Sequence, residues 1–256
     1  MTAGGEGRVV LITGGAGGMG RAIAARSARD GAAVVLADRS GDGLDEAARA
    51  IPEADTVVAD VTSVADCERI VATTLERHGR LDVLVTAAGV WVEGPTAAMT
   101  EDQWDRTIDV NLKGTFFACR SAIPALEATG GCIVAISSDY GLVGGPGAAI
   151  YCASKFGVNG LIRSLALELA PQGVRANSVC PADVDTPMLA GQARDFGGGD
   201  ETGYLAGLLA TLPQRDRARF IRPEEIAAAV AFVCSAEAAP ITGLCLPVEW
   251  GVTAGY

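Results

Sequence analysis

The sequence alternates short, uninterrupted apolar runs with longer segments in which apolar residues recur at helical spacing. The runs are rich in β-branched residues and lack in–out alternation, which indicates strands that are covered on both faces. Seven runs predict strands at 9–13, 33–37, 56–59, 81–86, 132–137, 175–180 and 244–248. The longer segments predict helices at 20–30, 42–50, 64–78, 101–126, 151–170 and 223–234.

This alternation predicts an α/β fold, namely a single Rossmann-type doubly wound parallel sheet of about seven strands with helices on both faces. No Pro-rich linker or low-complexity tract divides the 256 residues, so we expect one domain over 1–256. Segment 186–222 carries no strand pattern and includes three consecutive glycines. Because such sheets bind ligands beyond the carboxyl ends of their strands, we interpret it as a substrate loop or lid.

Charge and composition exclude several classes of partner. The net charge is −11, without a run of like charges, which argues against nucleic acid or an anionic membrane surface. No apolar segment has the length of a membrane span or the pattern of a signal peptide. A single histidine, His78, and seven cysteines without C-x-x-C spacing predict no metal site and free, mostly buried thiols. We therefore expect a cytoplasmic protein.

A glycine-rich turn joins the first predicted strand to the first predicted helix, with the sequence GGAGGMG at 14–20. Glycines let the backbone approach a pyrophosphate, which then meets the free N–H groups and the positive dipole end of the helix. The candidates are Gly14, Gly18, Met19 and Gly20. Such turns also occur in plain loops, but the position between strand and helix favours dinucleotide binding.

The ends of the next strands supply further candidates for the cofactor site. Asp38 could accept hydrogen bonds from both adenosine ribose hydroxyls and would repel a 2′-phosphate. Arg39 could instead attract a phosphate. Since no basic residue lies within 14–20, NAD is favoured over NADP. Asp60 and Val61 follow the third strand towards the adenine, while Ala87 and Gly89 follow the fourth, where the backbone passes close to the cofactor.

Tyr151 and Lys155 stand four residues apart in a predicted helix, so they share one face. An ammonium about 6 Å from a phenol favours the phenolate by roughly 2–3 kcal/mol, which lowers a pKa of ~10 by about two. The pKa of Tyr151 would then lie near the range that suits proton transfer. The alternative is that the two residues share this spacing by chance.

With the glycine turn, Asp38, Asn111, Ser138 and the Tyr151/Lys155 pair in this order, nearly the whole chain resembles the short-chain dehydrogenase/reductase family. The resemblance implies that Asn111 holds a water linking the lysine to solvent. It implies that Ser138, 13 residues before Tyr151, orients the substrate, with Ser137 as the alternative. It also implies that Tyr151 is the acid/base and that Lys155 binds the nicotinamide ribose and lowers the tyrosine's pKa.

The same resemblance extends to segment 177–186 and to the assembly. It implies that the Val184 backbone and Thr186 hold the nicotinamide carboxamide, and that the chain forms a homotetramer through helices 101–126 and 151–170. The chain departs from the family pattern at three places. Thr86-Ala87 replaces Asn-Asn, Ala182 replaces a glycine, and Glu249-Trp250 replaces Asp-Gly.

The resulting hypothesis is an NAD-dependent oxidoreductase that interconverts a secondary alcohol and a ketone. A mainly apolar pocket for a small or medium substrate is expected, with Asp139 either solvated or bound to a polyol hydroxyl. Besides Ser138, which the resemblance assigns to the substrate, its candidate residues are Trp91, Tyr140, Met188, Phe196 and Tyr204, each of which could equally pack in the core or at the rim. Two alternatives stay open. One is an NADPH-dependent 3-oxoacyl ketoreductase; the other is a catalytically silent, cofactor-sensing binding protein.

Overall fold

The computed structural model describes residues 7–51 and 53–255. Seven parallel strands form one sheet in the order β3-β2-β1-β4-β5-β6-β7. They are β1 (Val9–Thr13), β2 (Ala33–Asp38), β3 (Asp55–Val58), β4 (Val83–Thr86), β5 (Cys132–Ile136), β6 (Arg175–Pro181) and β7 (Cys245–Val248). This confirms the predicted Rossmann-type sheet, and the predicted strand limits differ by two residues at most.

The helices cover both faces of the sheet. They are α1 (Gly18–Arg29), α2 (Gly41–Ala50), α3 (Val64–His78), α4 (Glu101–Ile108), α5 (Gly114–Thr129), α6 (Ala149–Leu169), α7 (Pro187–Phe196), α8 (Glu201–Thr211) and α9 (Pro223–Cys234). Successive strand residues point to opposite faces, so Leu11 packs in the core under α3, α5 and α6, while Ile12 packs in the core under α1, α2 and α9. Both cores are buried and apolar, as the continuous apolar runs predicted.

The predicted helix at 101–126 is helical throughout, but it contains a π-helical turn that the sequence analysis did not predict and ends at Thr129. Between α4 and α5 the chain forms a π-helical segment, Asp109–Lys113, in which Asn111 is buried. The Thr115 hydroxyl donates a hydrogen bond to the Asn111 carbonyl (2.8 Å), and the Asn111 side chain is bonded to the loop after β4. A π-helical turn inside an α-helix often marks a functional position.

Segment 186–222 contains two helices, α7 and α8, that the sequence analysis did not predict. Thr186 caps α7, with Pro187 in the first turn, and Asp200 caps α8 by accepting a hydrogen bond from the Gly203 N–H (2.8 Å). These N-cap residues are local sequence signals for the start of a helix, which the prediction of a loop did not use. That this helical segment acts as a lid over a substrate stays a prediction.

Strand β1 lies at the point where the strand order reverses, between β2 and β4. The connections from these strands leave in opposite directions, which opens a crevice beyond their carboxyl ends. None of the helices in residues 7–51 and 53–255 combines the length and hydropathy that a membrane crossing needs. Within the same ranges, no cluster of three or more His, Cys, Asp or Glu side chains could hold a metal ion.

Candidate active site

In the glycine turn after β1, the backbone packs directly against the backbone after β4 and against the start of α1. Gly14 has a φ of +69°, and a Cβ built on it would lie 2.5 Å from the Ala88 nitrogen. A Cβ on Gly20 would lie 2.2 Å from the Gly14 carbonyl oxygen. No side chain fits at either position, because the neighbouring atoms belong to the backbone and cannot move aside. The turn therefore leaves a floor of bare backbone below the crevice.

Helix α1 begins at this floor without a capping side chain. Its N-cap is Gly17, and none of the side chains that the structure describes accepts a hydrogen bond from the N–H groups of the first turn. Asp38, at the end of β2, accepts hydrogen bonds from the N–H of Ala16 (3.1 Å) and the N–H of Ser40 (3.0 Å). The free N–H groups form an anion site, and the Asp38 carboxylate fixes the turn beside it.

A cleft of about 830 Å³ runs over this floor and along the strand ends. It collects most of the residues that the sequence predicted for the cofactor: Gly14, Gly18, Met19, Gly20, Asp38, Arg39, Asp60, Val61, Ala87, Gly89 and Thr186. A dinucleotide fits this cleft, since a pyrophosphate would meet bare backbone and helix N–H groups rather than side chains. The sequence analysis missed Gly17, Ala59, Ala88, Val90, Val110 and Pro187 among the lining residues, although each adjoins or lies two residues from a predicted one.

Lys155 is buried behind Gly89, which lines this cleft, and does not itself line it. Its Nζ donates a hydrogen bond to the Ile136 carbonyl oxygen (2.9 Å) and lies 5.6 Å from the centroid of the Tyr151 ring. A Cβ on Gly89 would be 3.8 Å from the same Nζ, so the ammonium lies beside the backbone that lines the cleft. Burial lowers the pKa of Lys155 to about 8.

Asn111 acts as a clamp between the π-helical segment and the loop after β4. Its Oδ1 accepts a hydrogen bond from the Val90 N–H (2.8 Å), and its Nδ2 donates to the Val90 carbonyl (3.0 Å) and the Ser154 hydroxyl (3.1 Å). A Cβ on Gly89 would lie 3.5 Å from Asn111 Oδ1. Gly89 thus has the Asn111 side chain and the Lys155 ammonium on its inner side, and the role of Asn111 in holding water stays a prediction.

Ser138 and Tyr151 line a second cleft of about 1670 Å³, which adjoins the first at Met19, Thr186 and Met188. The Ser138 hydroxyl donates a hydrogen bond to Asp139 Oδ1 (2.7 Å). Ser137, the alternative orienting residue, instead donates to the Lys155 carbonyl oxygen (3.2 Å). The hydroxyl of Ser137 is thus used to anchor α6.

The second cleft contains four of the predicted aromatic and apolar substrate residues, Trp91, Tyr140, Met188 and Tyr204, but not Phe196. Trp91 packs edge-on against Tyr151, with ring centroids 4.5 Å apart, and stacks on Tyr140 at 5.9 Å. Phe196 is 37% exposed at the end of α7, outside this cleft.

The lining of this cleft is apolar for the most part, but it also contains three acids, Glu93, Asp139 and Asp183. Asp139 is not the solvated charge of the first alternative, since it is partly buried and burial raises the pKa of its carboxyl group despite hydrogen bonds from Ser138 and the Tyr140 backbone. The positions of these acids depend on loops after β4, β5 and β6, which hydrophobic patterning does not describe.

Val184 and Thr186 lie where the two clefts meet. The Thr186 hydroxyl donates a hydrogen bond to the Val184 carbonyl (3.2 Å), and a Cβ on Gly18 would lie 2.8 Å from Thr186 Cγ2. Thr186 therefore lies over the start of α1. Val184 lines the second cleft rather than the first.

Asn159 is a positioning residue that the sequence analysis missed. It lies on α6, where its Nδ2 donates a hydrogen bond to the Gly141 carbonyl (2.9 Å) and its Oδ1 accepts one from the Ser178 hydroxyl (2.7 Å). These bonds hold the turn after Ser138 between α6 and β6. The available signal in the sequence was an asparagine in the middle of a predicted helix, and the structure shows this side chain buried.

Comparison with known proteins agrees with this geometry. The family model for short chain dehydrogenases matches residues 8–196. The chain belongs to the short-chain dehydrogenase family. It is therefore an oxidoreductase acting on CH–OH groups, and the family uses NAD(H) or NADP(H).

Individual relatives span almost the whole chain. The meso-2,3-butanediol dehydrogenase of Serratia marcescens is 39% identical, over 97% of this chain and 96% of its own. A 3-oxoacyl-[acyl-carrier-protein] reductase of Thermotoga maritima is 35% identical, over 96% and 98%. The crystal structure of a levodione reductase superposes with a TM-score of 0.93 at 33% identity, covering 98% of this chain and 99% of that one.

Two of the departures from the short-chain dehydrogenase pattern leave polar atoms unpaired. Within the described ranges, the buried Thr86 hydroxyl and the buried Trp250 Nε1 find no hydrogen-bond partner. Trp250 has a φ of +61°, and its ring packs under the Arg219 guanidinium, 4.6 Å from the centroid. Ala182 lines the second cleft. None of these residues contacts the Tyr151 hydroxyl or the Lys155 ammonium through a hydrogen bond.

The pKa of Tyr151 differs from the expectation. Burial raises it above the ordinary value, Asp139 and Asp183 raise it further, and the nearby Ser138 hydroxyl lowers it without compensating. The expected effect of Lys155 fails because the phenolate loses more from desolvation than it gains from an ammonium that burial itself destabilises. The protein alone thus holds Tyr151 protonated.

This gives a spectroscopic prediction for the protein without cofactor. A raised pKa keeps Tyr151 neutral at every pH below its ordinary value of ~10. The phenolate absorbance of the wild type and of Tyr151→Phe should therefore coincide from about pH 7 to about pH 10. A phenolate that titrates near pH ~8 in the wild type and is lost in the variant would contradict the raised pKa.

Proposed function

We propose that the enzyme interconverts a secondary alcohol and a ketone with NAD, using Tyr151 as the acid/base. One observation carries this proposal. Tyr151 and Ser138 line the substrate cleft, and that cleft meets the glycine-floored cleft along Met19, Thr186 and Met188. A substrate held at the two hydroxyls would therefore face a nicotinamide held next to Thr186, which favours direct transfer between them.

The proposed roles follow from the contacts of each residue. Ser138 binds the substrate oxygen, and Tyr151 accepts its proton during oxidation or supplies one during reduction. Bound NAD⁺ supplies the acceptor for the hydride, so that alcohol and NAD⁺ give ketone, NADH and a proton. Lys155 binds the nicotinamide ribose with N–H donors that the Ile136 carbonyl leaves free, and the positive nicotinamide ring of bound NAD⁺ would add to its charge in favouring the phenolate.

Tyr151→Phe tests this assignment. Loss of the proton acceptor should reduce turnover by about 10²–10⁴-fold, whereas the affinity for NAD, measured by calorimetry, should stay close to wild type. Tyr140→Phe is the matched control, because it removes a second phenol from the same cleft and should retain most of the activity. Near-normal turnover in Tyr151→Phe would refute the assignment.

The choice of NAD over NADP is proposed from Asp38. A carboxylate beside the adenosine ribose repels a 2′-phosphate, and its two backbone hydrogen bonds fix it in place. The exposed Arg39 lines the same cleft and supports NADP instead, but it lacks an equivalent anchor among the described residues. We therefore expect the effect of Asp38 on the choice of cofactor to outweigh that of Arg39.

Steady-state rates with NAD and with NADP check this choice. The wild type should favour NAD. Asp38→Asn removes the charge that repels a 2′-phosphate and should reduce the preference by about tenfold, which corresponds to about 1.4 kcal/mol. Arg39→Ala, the control for the opposing charge, should further weaken NADP use and leave NAD use unchanged. A wild-type preference for NADP would overturn the proposal.

The second candidate is a 3-oxoacyl ketoreductase that uses NADPH. The relative from Thermotoga maritima favours it, while Asp38 argues against its cofactor. A silent, cofactor-sensing protein is disfavoured because Ser138, Tyr151 and Lys155 come together around two adjoining clefts.

We also retain two proposals about the state of the protein in the cell. A homotetramer is supported by exposed apolar side chains on α5 and α6, namely Phe116, Phe156 and Leu167, on the helices that the family resemblance assigns to subunit contacts. A cytoplasmic location is supported by seven free cysteines, six of them buried.

A further inference from the structure

The substrate cleft combines acidic side chains with a complete lack of basic ones. Glu93 comes from the loop after β4, Asp139 from the turn after β5 and Asp183 from the loop after β6. Among the described residues that line the cleft, none is lysine, arginine or histidine. An anionic substrate would therefore meet three carboxylates and no basic side chain in this lining.

Two of the three acids are held by neighbouring groups. Glu93 Oε2 accepts hydrogen bonds from Trp91 Nε1 (2.8 Å) and from the Tyr204 hydroxyl (2.7 Å), which ties α8 to the loop after β4. Asp139 Oδ1 accepts hydrogen bonds from the Ser138 hydroxyl (2.7 Å) and the Tyr140 N–H (2.8 Å). These contacts place both carboxylates against the aromatic wall of the cleft.

Asp183 differs from the other two acids. Its carbonyl accepts a hydrogen bond from the Ile221 N–H (3.0 Å), but no group in the described ranges gives its carboxylate a hydrogen bond or an ion pair. Burial raises the pKa of Asp183 to about 6, and the charges of Asp139 and Glu93 raise it in the same direction. A positive ligand group would relieve both costs, because it would pair the carboxylate and offset the repulsion.

The aromatic side chains of the cleft suit the same kind of ligand. The Trp91 and Tyr140 rings stack at 5.9 Å with planes 27° apart, and the Tyr151 ring meets Trp91 edge-on. Aromatic faces attract alkylammonium groups, more strongly where water is excluded. A neutral alcohol could use the rings but would leave the three negative charges uncompensated.

We propose that the substrate is an amino alcohol, or the corresponding amino ketone, whose ammonium group binds among Glu93, Asp139 and Asp183. Its carbinol carbon then lies at Ser138 and Tyr151, and the ammonium group takes no part in the redox step. This inference rests on the proposed function and adds to it the charge of the substrate.

The test compares three secondary alcohols of matched size with NAD at neutral pH: 1-amino-2-propanol, 1,2-propanediol and lactate. They carry a positive, a neutral and a negative group beside the same carbinol. We expect kcat/KM to be at least about tenfold higher for the ammonium than for the diol, and lowest for lactate. A diol that reacts as fast as the ammonium compound overturns this inference and leaves the proposed function intact.

Asp183→Asn separates recognition of charge from general damage. It keeps the shape of the side chain and should reduce the ratio of kcat/KM for ammonium over diol by about tenfold, mainly through KM. Asp185→Asn is the matched control, since this exposed acid does not line the cleft and its replacement should leave the ratio unchanged. An equal loss for both substrates in Asp183→Asn would show a structural role and overturn the inference. Failure of the enzyme to oxidise any secondary alcohol would overturn the proposed function as well.

Discussion

The buried ammonium group of Lys155 is the constraint around which the site is built. An ammonium carries three donors, and the described residues accept one of them, through the Ile136 carbonyl at the end of β5. The pKa of about 8 records the cost of this burial. The remaining donors lie beside Gly89, where the glycine-floored cleft ends, so the residue links the sheet, α6 and the cofactor site. A dinucleotide ribose can supply the missing acceptors.

The two clefts differ in the chemical character of the residues that line them. The first is lined by backbone and small side chains and suits a pyrophosphate that needs N–H donors. The second is lined by aromatic rings and carboxylates and suits a substrate that needs orientation and charge recognition. Under the proposed function, the reaction would take place where they meet, next to Thr186. Asn111 and Asn159 hold the two walls from within the fold.

Local pattern was sufficient for the strands, since each buried strand is a short apolar run, and for Tyr151 and Lys155, since helical spacing puts them on one face. Local pattern was not sufficient for features that tertiary contacts determine. The π-helical segment depends on the bonds between Asn111 and Val90, which are 21 residues apart. The pKa of Tyr151 depends on burial by residues from several loops, and the acidic lining depends on where three separate loops end. The N-cap residues of helices α7 and α8, Thr186 and Asp200, are recognisable in the sequence. The prediction of a loop rested only on the absence of a strand pattern.

The most direct test of the account follows the hydrogen that the two clefts are arranged to pass between them. The enzyme would be given NAD and an oxidisable secondary alcohol that carries deuterium on its carbinol carbon. Mass and NMR spectra of the reduced cofactor should show the deuterium at C4 of the nicotinamide, on one face only. A reduced cofactor without the label, or labelled equally on both faces, would contradict direct transfer between substrate and cofactor held in these clefts.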